Sequence, residues 1–156
     1  MHYLCNMFVK RITLERALAL GCLLMGMGIY LLFRSRGHLG FIVFDCMGMG
    51  AAVDAVRKLV DGVYVSEFVR FCLPDGLWTL SYIFFSDSVN RHESMIKRLA
   101  WVSVVPLLGV LSELMQLTQL VPGVFDVADL ACYSVPLFVW MVMVRLEERV
   151  RKDSNN

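Results

Sequence analysis

The sequence predicts an all-α, polytopic membrane protein with four transmembrane helices and one amphipathic helix, interfacial or re-entrant, between the first and the second. Of 156 residues, 58% are hydrophobic and 19% are charged, whereas soluble domains are about 45–50% apolar and about 25% charged. Apolar stretches long enough to span a bilayer occur four times, and basic residues flank them. We therefore expect a single membrane domain over residues 1–156.

The four predicted spans follow from the need for about 20 mostly apolar residues to cross a bilayer. Basic residues precede the first span and follow both it and the last, where Arg145 interrupts the apolar stretch. The spans are residues 14–33, 68–85, 99–121 and 127–144.

The segment between the first and second spans is more polar. Asp45 and Asp54 interrupt its apolar run, and Asp54 and Lys58 form an i,i+4 pair in the favourable order. Valine and leucine side chains occupy the opposite helical face. We predict an amphipathic helix over about residues 48–61 that lies in the membrane interface or dips into it. A fifth span here is the alternative.

Basic residues determine the expected orientation, because cytoplasmic loops carry an excess of Lys and Arg. Four spans with both termini in the cytoplasm place ten of the 15 basic residues inside. Five spans, with the N-terminus outside, give the less asymmetric division of nine to six. The inner residues of the four-span arrangement are Lys10, Arg11, Arg16, Arg91, Lys97, Arg98, Arg145, Arg149, Arg151 and Lys152.

Composition and motifs exclude several functions. The formal net charge of +1 lacks the basic surplus that nucleic-acid binding requires. The five cysteines are odd in number and lack zinc-ligand spacing, so we expect neither a disulfide framework nor a zinc site. Hydrolase, nucleotide-binding and metalloprotease signatures are also missing. No cofactor is expected, and the sequence does not decide whether the protein is an enzyme.

Acidic and amide residues within the predicted spans are the main functional signal, because ionisable groups in a bilayer are costly. Glu113 and Gln116 share one helical face late in the third span, and Asp126 and Asp129 begin the fourth. Asp75 begins the second. In the four-span arrangement these groups all lie near the outer surface, so we predict that they converge there.

Each of these residues also has a structural interpretation. The three aspartates suit helix starts, where carboxylates cap backbone N–H groups and complement the helix dipole. Glu113 lies too deep in its span for that role and needs a partner. Arg70 is a candidate counter-charge, and Trp78, one turn beyond Asp75, is a candidate lining residue.

The order of these polar residues resembles the VanZ-like membrane protein family. Glu113-Leu-Met-Gln116 followed by Pro122-Gly123-Val-Phe-Asp126-Val-Ala-Asp129 is similar to the family hallmark, and Asp75 in Pro74-Asp75-Gly-Leu-Trp78 is similar to its other acidic site. Gly123 and Val124 stand where the family has a loop arginine, which makes this a divergent member. The resemblance covers about residues 73–136. It implies a bacterial cytoplasmic (inner) membrane and a link to glycopeptide-antibiotic resistance.

Three functions remain open at this point. The first is binding of a cell-envelope ligand at an outward-facing acidic pocket formed by the residues above. That ligand is a lipid head group, a cationic or glycopeptide-type group, or a metal ion. The second is an intramembrane enzyme or proton-coupled transporter that uses Glu113. The third is a structural subunit in which polar groups only hold helices together. The predicted binding residues are Arg70, Asp75, Trp78, Glu113, Gln116, Asp126 and Asp129.

Overall fold

The computed structural model describes residues 2–36 and 39–153, and every regular element within them is an α-helix. The four long helices form a bundle in which α4 and α6 run in one direction and α1 and α5 in the other, as contacts at two levels of α4 with each of the other three show. The helices are α1 (His2–Phe33), α2 (Leu39–Cys46), α3 (Gly50–Leu59), α4 (Glu67–Asn90), α5 (Met95–Leu117) and α6 (Val127–Asp153).

In the part of the chain that the structure describes, three helices are long and apolar enough to cross a membrane: Ile12–Phe33 in α1, Met95–Leu117 in α5 and Val127–Arg149 in α6. Their outer faces expose large apolar side chains, as Leu24 (58%) and Phe138 (63%) illustrate. A contiguous apolar surface of this kind fits lipid rather than water. The helices therefore indicate a membrane protein, as the sequence predicted.

The predicted second span, residues 68–85, lies in α4, which is not among those three helices. The helix is long enough at 24 residues, but Arg70, Asp75 and several serines make it more polar than the others. The greater polarity of α4 is explained by its position, because α4 packs against α1, α5 and α6. A helix enclosed by protein does not need an apolar surface. The four-span arrangement thus remains a prediction.

Hydrogen bonds between helices satisfy the polar side chains of α4. The Ser81 hydroxyl donates to the backbone oxygen of Ala19 in α1 at 2.7 Å. The Tyr82 hydroxyl donates to the backbone oxygen of Trp101 in α5 at 2.7 Å. Such bonds hold α4 to both neighbours and remove the cost of burying unpaired polar groups.

Within residues 48–61, where one amphipathic helix is predicted, the structure has the short helix α3, and a separate short helix, α2, precedes it at Leu39–Cys46. Gly48 lies between the two helices with φ +73°, a left-handed conformation that favours glycine and interrupts the helical backbone. With 8 and 10 residues, each helix is too short to cross a hydrocarbon core of about 30 Å. Neither helix supplies the continuous span that the five-span alternative requires.

The bounds of the last two helices also differ from the predicted spans. The helix α5 begins at Met95 rather than near residue 99, and it ends at Leu117. The helix α6 continues past Arg145 to Asp153. Charged residues end an apolar stretch without ending a helix, because Arg, Glu and Lys are good helix formers.

Close packing between α5 and α6 depends on Gly109. A Cβ at this position would lie 2.5 Å from the Tyr133 ring. We expect Gly109→Ala to lower the free energy of unfolding in detergent by about 1–3 kcal/mol through overpacking. Gly21→Ala is the matched control, since a Cβ there meets nothing within 4 Å. Equal melting temperatures for the two variants would contradict this packing.

Candidate functional site

The turn between α5 and α6 places Glu113 against the start of α6. Glu113 is buried, with 4% exposure. Its Oε2 accepts a hydrogen bond from the backbone N–H of Asp126 at 3.2 Å, and its Oε1 accepts one from Gln116 Nε2 at 3.4 Å. In the turn, Gly123 has φ +152° and leaves room for the Gln116 side chain. The carboxylate thus fixes the path of the α5–α6 turn.

Asp126 precedes α6 and acts as its N-terminal cap. Its Oδ1 accepts a hydrogen bond from the backbone N–H of Ala128 at 2.8 Å, which satisfies one of the unpaired donors at a helix start. The other carboxylate oxygen, Oδ2, lies 3.9 Å from the Sγ of Cys72 in α4. Asp126 therefore combines capping with a contact to the neighbouring helix.

Cys72, Asp126 and Asp129 form the tightest group of potential ligand atoms. One oxygen from each carboxylate and the Cys72 sulfur all lie within 4.8 Å of one another. Asp129 Oδ1 is buried and has no hydrogen-bond partner in the part of the chain that the structure describes. Thiolate and carboxylate ligands together suit a borderline divalent ion such as Zn²⁺.

Asp75 reaches the same region from α4. Its carboxylate lies near the Tyr133 hydroxyl of α6 and close enough to Asp129 and Glu113 for electrostatic interaction. Four carboxylates from three helices therefore meet at one end of the bundle. We call this group, Asp75, Glu113, Asp126 and Asp129, the acidic cluster. Its convergence agrees with the arrangement that the sequence predicted.

Two of the predicted site residues lie elsewhere. Trp78 faces α1, where its ring occupies the space beside Gly26 and lies 5.5 Å from the ring of Tyr30. Arg70 lines a separate groove near the start of α4. Among the described residues, no ion pair joins Arg70 to the acidic cluster.

A second polar cluster, at the opposite end of the bundle, has no counterpart in the predicted site. Asp87 of α4 accepts hydrogen bonds from Arg91 Nη2 at 3.0 Å and from Arg98 Nη2 at 2.6 Å, and Arg91 also pairs with Glu15 of α1. Their side chains are only 7–14% exposed. We call these four residues the ionic cluster. It joins α1, α4 and the start of α5.

Sequence reasoning assigned Arg91 and Arg98 only to topology and did not select Asp87 or Glu15. The Asp87–Arg91 spacing of i,i+4 was the available signal. Cys72 and Tyr133 were also missed as neighbours of the acidic cluster, because a cysteine or tyrosine in an apolar helix usually packs as a hydrophobic residue.

The chain was compared with known protein families, with curated proteins and with solved structures. No match was found in any of the three comparisons.

Proposed function

We propose that this chain is an integral membrane protein that binds a cationic ligand of the cell envelope at the acidic cluster. The observation that carries the proposal is the meeting of Cys72, Asp126 and Asp129 within 4.8 Å. The buried and unpartnered Asp129 Oδ1 supports it, because a buried oxygen without a donor is costly unless a ligand satisfies it.

The chemistry of these atoms defines the ligand class. A divalent metal ion would be held by Asp126, Asp129 and Cys72, whereas an ammonium group would use the carboxylates alone. The wider cluster adds negative charge from Asp75 and Glu113, which strengthens attraction for either cation at low dielectric.

The cellular setting belongs to the same proposal. Four spans, with α4 as the second, and cytoplasmic termini place the acidic cluster at the outer surface of a bacterial inner membrane. The VanZ-like resemblance and its link to glycopeptide resistance rest on Glu113, Gln116, Asp126 and Asp129 in their sequence order. Cysteine accessibility of the turn at residues 121–125 tests the orientation, and labelling only from the cytoplasmic side would overturn it.

A structural role is the second candidate, and the bonding of Glu113 favours it. Both Glu113 oxygens accept hydrogen bonds from within the α5–α6 connection. A carboxylate so engaged can act as an anchor between helices without any ligand. In that case the cluster contributes to stability, and cations leave the melting temperature unchanged.

Asp129→Asn provides the direct test of cation binding. We expect it to weaken Zn²⁺ binding by the purified full chain about tenfold or more, because it removes a charged ligand oxygen. Cys72→Ser should weaken binding similarly. Binding is measured by calorimetric titration in neutral detergent. Glu148→Gln, an exposed position on α6, is the control. Wild-type affinity in Asp129→Asn would exclude the proposed site.

A further inference from the structure

A groove of about 670 Å³ lies where α1 ends and α4 begins, with α3 along one wall. The groove is predominantly basic, since four cationic side chains and two carboxylates line it. The cations are Arg34, Arg57, Lys58 and Arg70, and the carboxylates are Asp54 and Asp61. We call it the basic groove.

One of the two carboxylates, Asp54, is engaged by an arginine that lies outside the groove lining. Arg36 Nε donates to Asp54 Oδ1 at 2.9 Å, and the same guanidinium also pairs with Asp45. The hydrogen bond from Arg36 lowers the pKa of Asp54, so this carboxylate stays ionised and bound to Arg36. Among the described lining residues, Asp61 is the one other carboxylate beside four cations.

Two of the cations are held in place by the end of α1 and by an aromatic ring. Arg57 Nη1 donates to the backbone oxygens of Leu31 and Arg34, both at 2.8 Å, where a helix end leaves carbonyls unpaired. The Arg34 guanidinium lies 4.9 Å from the centre of the Phe71 ring. These contacts fix the two positive charges before any ligand arrives.

Arg70 completes the groove with unused hydrogen-bonding capacity. Its guanidinium lies 5.9 Å from the centre of the same Phe71 ring. Its Nε is buried without a hydrogen-bond partner in the described part of the chain. Arg70 and Arg34 both lie near this ring, so their positive charges repel each other. A bound anion between them would reduce that repulsion. Guanidinium groups bind phosphate oxygens through charge-assisted hydrogen bonds.

Apolar residues also line the groove, which lies where the apolar segment of α1 ends. Leu32, Phe33 and Val63 line it together with the cations. Leu59 and Tyr64 beside it are 82% and 89% exposed. Apolar groups beside cations are typical of a protein surface at the depth of lipid phosphates.

We propose that the basic groove binds a phosphate group, carried by an anionic lipid in the membrane interface. Arg34, Arg70 and Lys58 contact the phosphate, and Arg57 holds the end of α1 beside it. The groove shares no lining residue with the acidic cluster, so this proposal stands apart from cation binding there. Asp129→Asn should therefore leave phosphate binding unchanged.

The experiment uses the purified full chain in neutral detergent and three probes. Dihexanoyl phosphatidylglycerol carries an anionic phosphate, dihexanoyl phosphatidylcholine is zwitterionic, and inorganic phosphate has no lipid part. Binding is followed by the rise in melting temperature with probe concentration. We expect phosphatidylglycerol to bind more tightly than phosphatidylcholine, with an affinity that falls as salt rises.

The variant with Lys58→Gln and Arg70→Gln should bind phosphatidylglycerol at least tenfold more weakly, since each lost charged contact removes affinity. Lys58→Gln alone, at an exposed position, serves if the pair impairs folding. Arg149→Gln, exposed on α6, is the matched control and should bind as wild type does.

The outcomes separate two sources of the phosphate. Tight binding of phosphatidylglycerol with weak binding of inorganic phosphate supports a lipid. If phosphatidylglycerol and inorganic phosphate bind equally tightly, and the Lys58 and Arg70 variant binds neither, the groove is an anion site for a soluble phosphate. Equal binding of the two lipids, or an unchanged affinity in the variant, overturns the proposal.

Discussion

Asp87→Asn is expected to lower the free energy of unfolding by about 3–5 kcal/mol, because it breaks a buried ion-pair network. Asp87 is 5% exposed and faces both Arg91 and Arg98. Without this charge, Arg91 keeps its ion pair with Glu15, whereas Arg98 has no other ion pair in the described part of the chain. Unfolding of the purified protein in mixed detergent micelles measures the loss.

Glu93→Gln is the matched control at the same end of the bundle. It removes the Lys97–Glu93 pair, whose side chains are 65% and 46% exposed. Exposed helix pairs contribute only about 0.3–0.5 kcal/mol. The double variant with Asp87→Asn and Arg98→Gln should recover part of the loss, because it removes an uncompensated charge. A loss in Asp87→Asn no larger than in Glu93→Gln would contradict the network.

Glu113→Leu is expected to lower the free energy of unfolding by about 1–3 kcal/mol, because it leaves the backbone N–H of Asp126 without its acceptor. Glu113→Gln keeps an acceptor of nearly the same shape and should stay within about 1 kcal/mol of wild type. Melting temperatures of the two variants in neutral detergent provide the measurement.

The same pair of variants separates the roles of Glu113. Leucine and glutamine both remove the charge, but only glutamine retains the hydrogen bond. If Glu113→Leu is as stable as the wild type, Glu113 does not anchor the α5–α6 turn. Zn²⁺ affinity should fall less in Glu113→Gln than in Asp129→Asn, because the Glu113 oxygens already accept protein donors. A larger fall in Glu113→Gln would place the cation beside Glu113 instead.

Much of the acidic cluster could be predicted because sequence spacing constrains it. Glu113 and Gln116 are one turn apart on one helix, and the short turn to Asp126 allows little freedom. The direction of Arg70 was not predictable, since a long flexible side chain at a helix start can turn toward either neighbour. The packing of α1 against both α4 and α3 places it in the basic groove.

By itself, the sequence determined the all-helical class, the membrane setting and the position of the acidic cluster, because hydropathy and local spacing act along the chain. Tertiary structure decided the central place of α4 and the ion pairs of Arg98 with Asp87 and of Arg91 with Glu15. Contacts of this kind join residues far apart in sequence, such as Glu15 and Arg91. No local pattern encodes them, since they depend on which helix faces meet when the bundle packs.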